Sequence, residues 1–535
     1  MGGVWAKHRL YPALNSNNLL GTYEFSDFPL DKKTYGVQEG RPLPAEVVHR
    51  YLTNYAKESS IYERTRFNSR VESCEHKDGG GWLITVSGRL DSSGPTSHIF
   101  ASKLIVATGL TSDPFLPILN GSESFGASLF HSKDFKDNAS TVDTAKNVCV
   151  LGGTKSAWDV VYAYASKGVQ VDWIIRESGH GPTWMAPPYV TPLKKWLEKL
   201  TQTRFLTWLS PCIWGDAGGY SYVRSLLHGT WIGRKLVDGF WGVLGSDVIS
   251  LNKYDAHPET AKLKPWTNPF FIASSLSILN YETNFFDLVK DGKARVHIAD
   301  ITSLDKKTVH LSNGENLFTD ALICCTGWKH SPPLKFLPEG LDLGLPHRRS
   351  LSEPSDLIAQ ADKEILEKFP RLKIQPKPNP KYRPLEDAEK TVDREQEPYQ
   401  LYRFMVPPTF IESRDIAFAG SLLTISTAMN AQIQALWITA FFGNEVQIDS
   451  DPKYMSVLHS RFMKWRAPSG FGDCFPDMVF DALSYMDMLL TDLGLECHRK
   501  SGAVAEIFSP YGPGDYKNLP SEWMAKKIDG KLHVD

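Results

Sequence analysis

The stretch Lys146-Asn147-Val148-Cys149-Val150-Leu151-Gly152-Gly153-Thr154-Lys155-Ser156-Ala157 decides the fold. Val148 to Leu151 is an apolar run that reads as a buried strand. Gly152 to Ala157 is a tight turn of small residues, and Trp158 to Lys167 then carries a helical period. Gly168 stops that helix, and Val169 to Ile175 is the next strand. Strand, turn, helix and strand with a short crossover predict a βαβ unit in a parallel sheet.

The small residues of the turn have a chemical meaning. A dinucleotide needs close backbone approach to its pyrophosphate and a helix N-terminus with free N–H groups. Gly152, Thr154 and Ala157 occupy the three positions of a G-x-G-x-x-G/A pattern, with Thr154 in place of the middle glycine. Lys155 and Ser156 are candidate phosphate donors. A plain strand-turn-helix without a ligand is the competing reading. Arg176 ends the second strand, where an Arg pairs with a 2′-phosphate and an acid with a 2′-hydroxyl. It favours NADPH over NADH, and Glu177 beside it keeps NADH open.

Working outward, two more apolar runs end in Thr-Gly. They are Lys103 to Ala107, before Thr108-Gly109, and Ala321 to Cys325, before Thr326-Gly327. The first is expected in a parallel sheet covered on both faces. Ile61 to Cys74 and Trp82 to Val86 read as β runs around the Gly79-Gly80-Gly81 turn. Asp415 to Ala419 reads as a strand ending in Gly420, and Thr427 to Phe442 as a helix. Residues 1 to about 45 read as long ordered loops. The charged, Pro-rich stretch from 350 to about 398 reads as a surface insertion.

Bulk properties narrow the function classes. A net charge of −2 gives no basic surplus for nucleic acid. The seven cysteines form no C-x-x-C pair, so neither zinc nor a disulfide framework is expected. No run of about 18 apolar residues predicts a spanning helix, and no apolar signal core follows Met1. A cytoplasmic protein is expected. The Trp-rich stretch Tyr222 to Val248 suits a tunnel wall, a membrane-surface contact or interior packing, of which interior packing is preferred.

Several elements together resemble the flavin-containing monooxygenases, the class B flavoprotein monooxygenases, and their fungal members most closely. Gly2-Gly3-x-Trp5 is similar to the family's G-G-x-W element beside the flavin, and Phe25-Ser26-Asp27-Phe28-Pro29 to its F-S-D-F-P element. Asn17 matches its active-site Asn. Thr108-Gly109 and Thr326-Gly327 resemble its A-T-G links, with Cys325 where Ala is usual in the second. The F-x-G-x-x-x-H-x-x-x-[FY] signature lies at Phe125, His131 and Phe135, with Ala127 for its glycine. Phe135-Lys136 stands where a Baeyer–Villiger enzyme has Trp-Pro, which favours heteroatom oxidation.

The resemblance implies an α/β fold with two Rossmann-like domains and the cofactors FAD and NADPH. It implies that NADPH passes hydride to the flavin, and that reduced flavin with O2 transfers one oxygen atom to a small organic molecule. It assigns a catalytic role to Asn17. Cofactor contacts fall to Gly3, Trp5, Asn17, Thr108, Gly109, Gly152, Thr154, Lys155, Ser156, Arg176, Thr326, Gly327 and Gly420, and a linker role to His131. The family's first G-x-G-x-x-G unit has no counterpart here, so the first domain is expected to be incomplete at its N-terminus, with the start assigned too late. The expected organisation is 1–140 and 321–450 for the FAD part, 141–320 for the NADPH part and 451–535 as a C-terminal cap. Two other readings stay open: a truncated or degenerate family member that binds NADPH without catalysis, and a flavin-independent reductase.

Overall fold

The computed structural model describes residues 3–88, 96–190, 195–273, 276–350, 355–385, 394–468 and 472–532. Gly2 and the stretches 351–354 and 386–393 of the expected insertion lie outside these residues. Eleven elements position the site. They are β1 (Asn15–Leu19), β2 (Leu104–Val106), β3 (Ser128–His131), β4 (Asn147–Leu151), α1 (Lys155–Ala165), β5 (Gln170–Ile175), α2 (Trp231–Asn252), β6 (Ala294–Ile298), β7 (Ala321–Cys324), β8 (Ile416–Phe418) and α3 (Thr427–Phe442).

The central sheet has the order β6-β5-β4-β7-β3, and every pair in it is parallel. The α/β expectation therefore holds where the sequence is clearest. Val148, Cys149, Val150 and all four residues of β7 are fully buried, because helices or loops cover both faces. Trp158 on α1 meets Trp173 on β5 edge to face, with ring centroids 5.0 Å apart. Burying one such side chain is worth about 2–3 kcal/mol. The sheet takes in β3 and β7, which lie on either side of 141–320.

A second parallel pair, β2 with β8, is separate from this sheet. Ile416 and Phe418 are buried, but Ile105 is 51% exposed. The expectation that Lys103 to Ala107 would be covered on both faces is corrected: among the described residues its one ladder partner is β8. The β run expected over Ile61 to Cys74 is also shorter. Turns occupy 61–69, and the strand is Arg70–His76, antiparallel to Trp82–Ser87.

The reading of 350–398 as a surface insertion is corrected in its first half. Asp356–Lys368 forms a helix. Ala361, Ile365 and Leu372 are fully buried in the largest apolar core, beside Tyr402, Phe462 and Trp437. The Trp-rich stretch divides as well. In α2, Val237, Trp241 and Val248 pack inward, whereas Trp231, Ile232, Leu236 and Val243 face solvent. No helix among the described residues is long and apolar enough to cross a membrane.

Candidate functional site

The turn after β4 is built by contacts that leave no room for side chains. Gly152 has φ +139°, and a Cβ there would lie 2.5 Å from the Cys325 carbonyl oxygen. A Cβ on Gly153 would lie 2.7 Å from the Gly181 carbonyl oxygen. Both glycines thus let β4 close on the ends of β7 and β5. α1 starts after Thr154, whose side chain makes no capping hydrogen bond. The backbone N–H groups of Lys155 and Ser156 have no partner among the described residues, as an anion-binding helix end requires.

This end opens into a cavity of about 330 Å³. Five expected site residues line it: Asn17, Thr154, Lys155, Ser156 and Gly327. On β1, Ser16 and Asn18 are buried and Asn17 is exposed, because alternate side chains of a strand point to opposite faces. The buried neighbours are pinned. Ser16 Oγ donates to Asn18 O and accepts from Leu43 N at 3.0 Å. Asn280 Nδ2 donates to Ser16 O at 2.9 Å. The Asn17 carboxamide makes no hydrogen bond among the described residues and stays available to a bound molecule.

Lys155 differs from its expected role. Its ammonium pairs with Asp159, donates to Asn280 Oδ1 at 3.0 Å and sits 4.9 Å from the Tyr281 ring centroid. A cation so engaged offers a phosphate its backbone N–H and not its side chain. The same bonds tie α1 through Asn280 to the strand that carries Asn17.

Other expected residues stand apart from the cavity lining. Gly3 adopts φ +47°, and Trp5 Nε1 donates to Tyr23 Oη at 2.8 Å. Thr108 and Gly109 lead into Leu110 and Thr111, which do line the cavity. Thr326 Oγ1 donates to Phe115 O at 2.5 Å and so fixes the link before Gly327. Gly420 N–H donates to Gln434 Oε1 on α3 at 3.1 Å. The Arg176 guanidinium lies 3.5 Å from Asp300 and donates to Ser178 Oγ at 2.7 Å. Burial lowers its pKa and Asp300 opposes the shift.

Sequence reasoning missed several wall residues, among them Thr111, His180, Trp328, His330 and Phe475. Trp328 and His330 come from one segment and the others from three separate loops, and no local pattern marks them. His131 was singled out and is found at the wall, 5.0 Å from Trp328 between ring centroids. Its Nδ1 accepts from Lys133 N, while its buried Nε2 has no hydrogen-bond partner among the described residues. Burial holds the His131 and His180 pKa values below the usual histidine range, and Arg176 adds to the effect at His180. Both rings are therefore neutral at pH 7, and burial likewise keeps the Cys325 thiol protonated.

The stretch 379–383 lies against the 176–180 loop. Asn379 Nδ2 donates to Glu177 O at 2.7 Å, Arg383 N to Ser178 O at 2.9 Å, and Lys381 pairs with Glu177. Tyr382 and His180 stand 4.7 Å apart between ring centroids.

Comparison with known proteins places these features. Residues 46–186 match the family model of L-lysine 6-monooxygenase/L-ornithine 5-monooxygenase. An FAD-dependent monooxygenase of Aspergillus nomiae is 33% identical over 98% of this chain and 92% of its own length. One from Aspergillus sclerotiorum is 32% identical over 98% and 92%. One from Pyrenophora dematioidea is 33% identical over 95% and 93%. Among solved structures, closed cyclohexanone monooxygenase aligns with a TM-score of 0.57 at 13% identity, over 92% of this chain and 90% of that one. Cyclohexanone monooxygenase from Rhodococcus sp. Phi1 bound to NADP+ aligns with 0.55 at 14% identity, over 98% and 91%. These two share the fold, a mixed α/β architecture with Rossmann-type domains.

Proposed function

Because this chain belongs to the FAD-dependent monooxygenases and is an enzyme of that class, we propose that it uses NADPH and O2 to place one oxygen atom on a small, uncharged organic molecule. Oxidation at a soft heteroatom, nitrogen or sulfur, is preferred to carbon, and secondary metabolism of the fungal kind is the setting. One observation carries the reading: Asn17 and the uncapped start of α1 open into the same cavity. A hydride donor held at one and an acceptor at the other would meet there.

The residues fit NADPH and the ring system of FAD. The free N–H groups of Lys155 and Ser156 suit the pyrophosphate of NADPH, and Arg176 its 2′-phosphate. Leu110, Trp328, Leu423 and Phe475 give flat apolar walls for a ring system, and the unpaired His131 Nε2 offers it a polar contact. FAD, when bound, supplies the hydride acceptor and the oxygen-activating chemistry. The chain's part is to hold, orient and keep dry. Asn17 offers both a donor and an acceptor to the reacting edge. Phe475 helps exclude water, which supports reading the C-terminal segment as a cap.

The cavity also bears on the amino-acid hydroxylases whose family model matches part of the chain. No Asp, Glu or Arg is among its described wall residues, and the one Lys is already paired. A zwitterionic amino acid would be desolvated there without a partner, at a cost of several kcal/mol. An uncharged substrate suits these walls better.

The test is a purified chain supplied with FAD and NADPH, followed by an oxygen electrode. NADPH oxidation matched by O2 uptake and by oxygenated product is expected. Replacing Asn17→Ala should lower product formation about 10²-fold, with NADPH consumption diverted to hydrogen peroxide. A chain that takes up no flavin and consumes no oxygen would overturn the reading.

A further inference from the structure

Four cavities lie in a row through the chain, and each shares wall residues with the next. The first is an open cleft of about 600 Å³ under α2, lined by Trp184, Asp238, Trp241, Gly245 and Pro269 among others. The second is a chamber of about 10 Å³ that shares Trp184, Gly245 and Pro269 with it. The third, about 40 Å³, shares Leu197 and Leu276 with the second. It shares Asn17 and Ser277 with the cofactor cavity. The strands that carry Trp184 and Leu276 are hydrogen-bonded neighbours, so these two wall residues stand side by side.

We propose that the row is one substrate channel, leading from the cleft under α2 to Asn17, for uncharged and largely apolar molecules. The inference rests on the oxygenase reading above. The walls select the substrate class. The second chamber presents Leu244, Val248, Ile272 and Phe480, all apolar. Among its described wall residues the third holds one ionisable side chain, Glu198, and its carboxylate is already satisfied. Leu19 N donates to it at 3.1 Å, and Asn18 Nδ2 and Thr22 Oγ1 complete the set. Among the described wall residues of these two chambers no free charge compensates an ionic substrate, whereas apolar groups gain by burial. At the mouth, Asp238 is taken up by Arg371 at 2.6 Å.

The narrowest point is the gate. A space near 10 Å³ holds about one water, so a substrate passes when the walls move. At this point Gly245 of α2 meets the 269 loop. A Cβ there would stand 2.7 Å from Pro269 Cγ and 3.4 Å from Trp184 Cη2. Glycine keeps the gate as wide as it is, although it weakens the interior of a helix. Gly239 and Gly242 of the same helix have open space at that position, and Gly233 is crowded by Leu226 and Leu227 instead, so among these glycines the contact with Pro269 and Trp184 belongs to residue 245.

The channel can be plugged after folding. Ser246, exposed on the cleft wall, is replaced as Ser246→Cys in the FAD-loaded chain and treated with benzyl methanethiosulfonate. The unsubstituted chain, treated alike, corrects for Cys474 and Cys497, which are half-buried. The probe is 4-bromophenyl methyl sulfide. Its uptake is read without turnover, as heavy-atom quenching of tryptophan fluorescence, since Trp184 and Trp241 line the cleft. Its sulfoxidation is read as product. Both should fall by about ten-fold or more on plugging and return with dithiothreitol. Gly245→Ala should lower kcat/KM for this probe more than for dimethyl sulfide. Uptake and sulfoxidation unchanged by the plug overturn the channel. So does sulfoxidation that persists while uptake is lost. Uptake that responds to the plug in a chain that forms no sulfoxide leaves the channel standing and removes the oxygenase reading.

Discussion

Two parallel pairs of strands in this chain end in the same way, in a glycine with positive φ, yet they sit in different surroundings. β4 lies between β5 and β7, is buried from Val148 to Leu151, and runs into Gly152. β8 pairs with β2, whose Ile105 is half exposed, and runs toward Gly420. At Gly152 the neighbouring backbone touches the place of a Cβ, whereas at Gly420 and Gly109 nothing comes within 4 Å. The glycine of the first pair is a packing requirement. Those of the second pair are turn residues facing open space.

The largest expected effect breaks or confirms that contrast. Gly152→Ala forces a Cβ onto the Cys325 carbonyl at a backbone angle that L residues avoid, and should cost about 3 kcal/mol. Gly420→Ala has the conformational penalty alone, about 1 kcal/mol. Urea midpoints at unchanged m value measure both. NADPH affinity should fall with the first substitution and hold with the second. Equal shifts in the two variants would mean that the two turns are alike after all.

The contrast also explains what the sequence made legible. β4, α1 and β5 were readable because each signal is local: an apolar run, a small-residue turn, a helical period and a stop at Gly168. α3 was found to the residue for the same reason. β2 misled because an apolar run reports hydrophobicity and not the number of neighbours. The 356–368 helix was hidden because charged residues surround the few side chains that it buries, Ala361 and Ile365. The cavity was half legible. Asn17 and the 154–156 turn carry motifs, but the Lys155 partner Asn280 lies 125 residues away and the Asn18 partner Glu198 lies 180 away. Such pairings have no local trace.

A smaller effect sharpens the picture of the β5 end of the well-buried sheet. Arg176 sits where the 2′-phosphate of NADPH is proposed to bind, but Asp300 already shares its charge. Removing it as Arg176→Ala should raise KM for NADPH about ten-fold, the value of one charge-assisted bond, and leave KM for NADH nearly unchanged. Steady-state kinetics with both cofactors decide the matter. An equal loss with NADH would make Arg176 a support of the 176–180 loop and not a reader of the phosphate.

The smallest effect is a pH dependence along the β5–β6 edge. Asp172 on β5 stands opposite Arg295 on β6 and accepts from its guanidinium at 2.8 and 2.9 Å. His297 Nε2 reaches the same carboxylate at 2.8 Å, and His297 Nδ1 reaches Glu315 at 2.7 Å. Burial alone would lower the His297 pKa, but the bonds to the two carboxylates raise it. Burial alone would raise the Asp172 pKa, but His297 and Arg295 lower it. A raised histidine contributes stability that is fully present below its unfolded value of about 6.5, and loses it as pH rises through the folded value. A lowered aspartate contributes above its unfolded value of about 3.9, and loses it as pH falls through the folded value. The urea midpoint should therefore be highest between these limits and decline on the alkaline side. His297→Gln should flatten the alkaline decline and keep the acid one. An alkaline decline of undiminished size in that variant would assign it to another group and leave the buried edge without a titrating clasp.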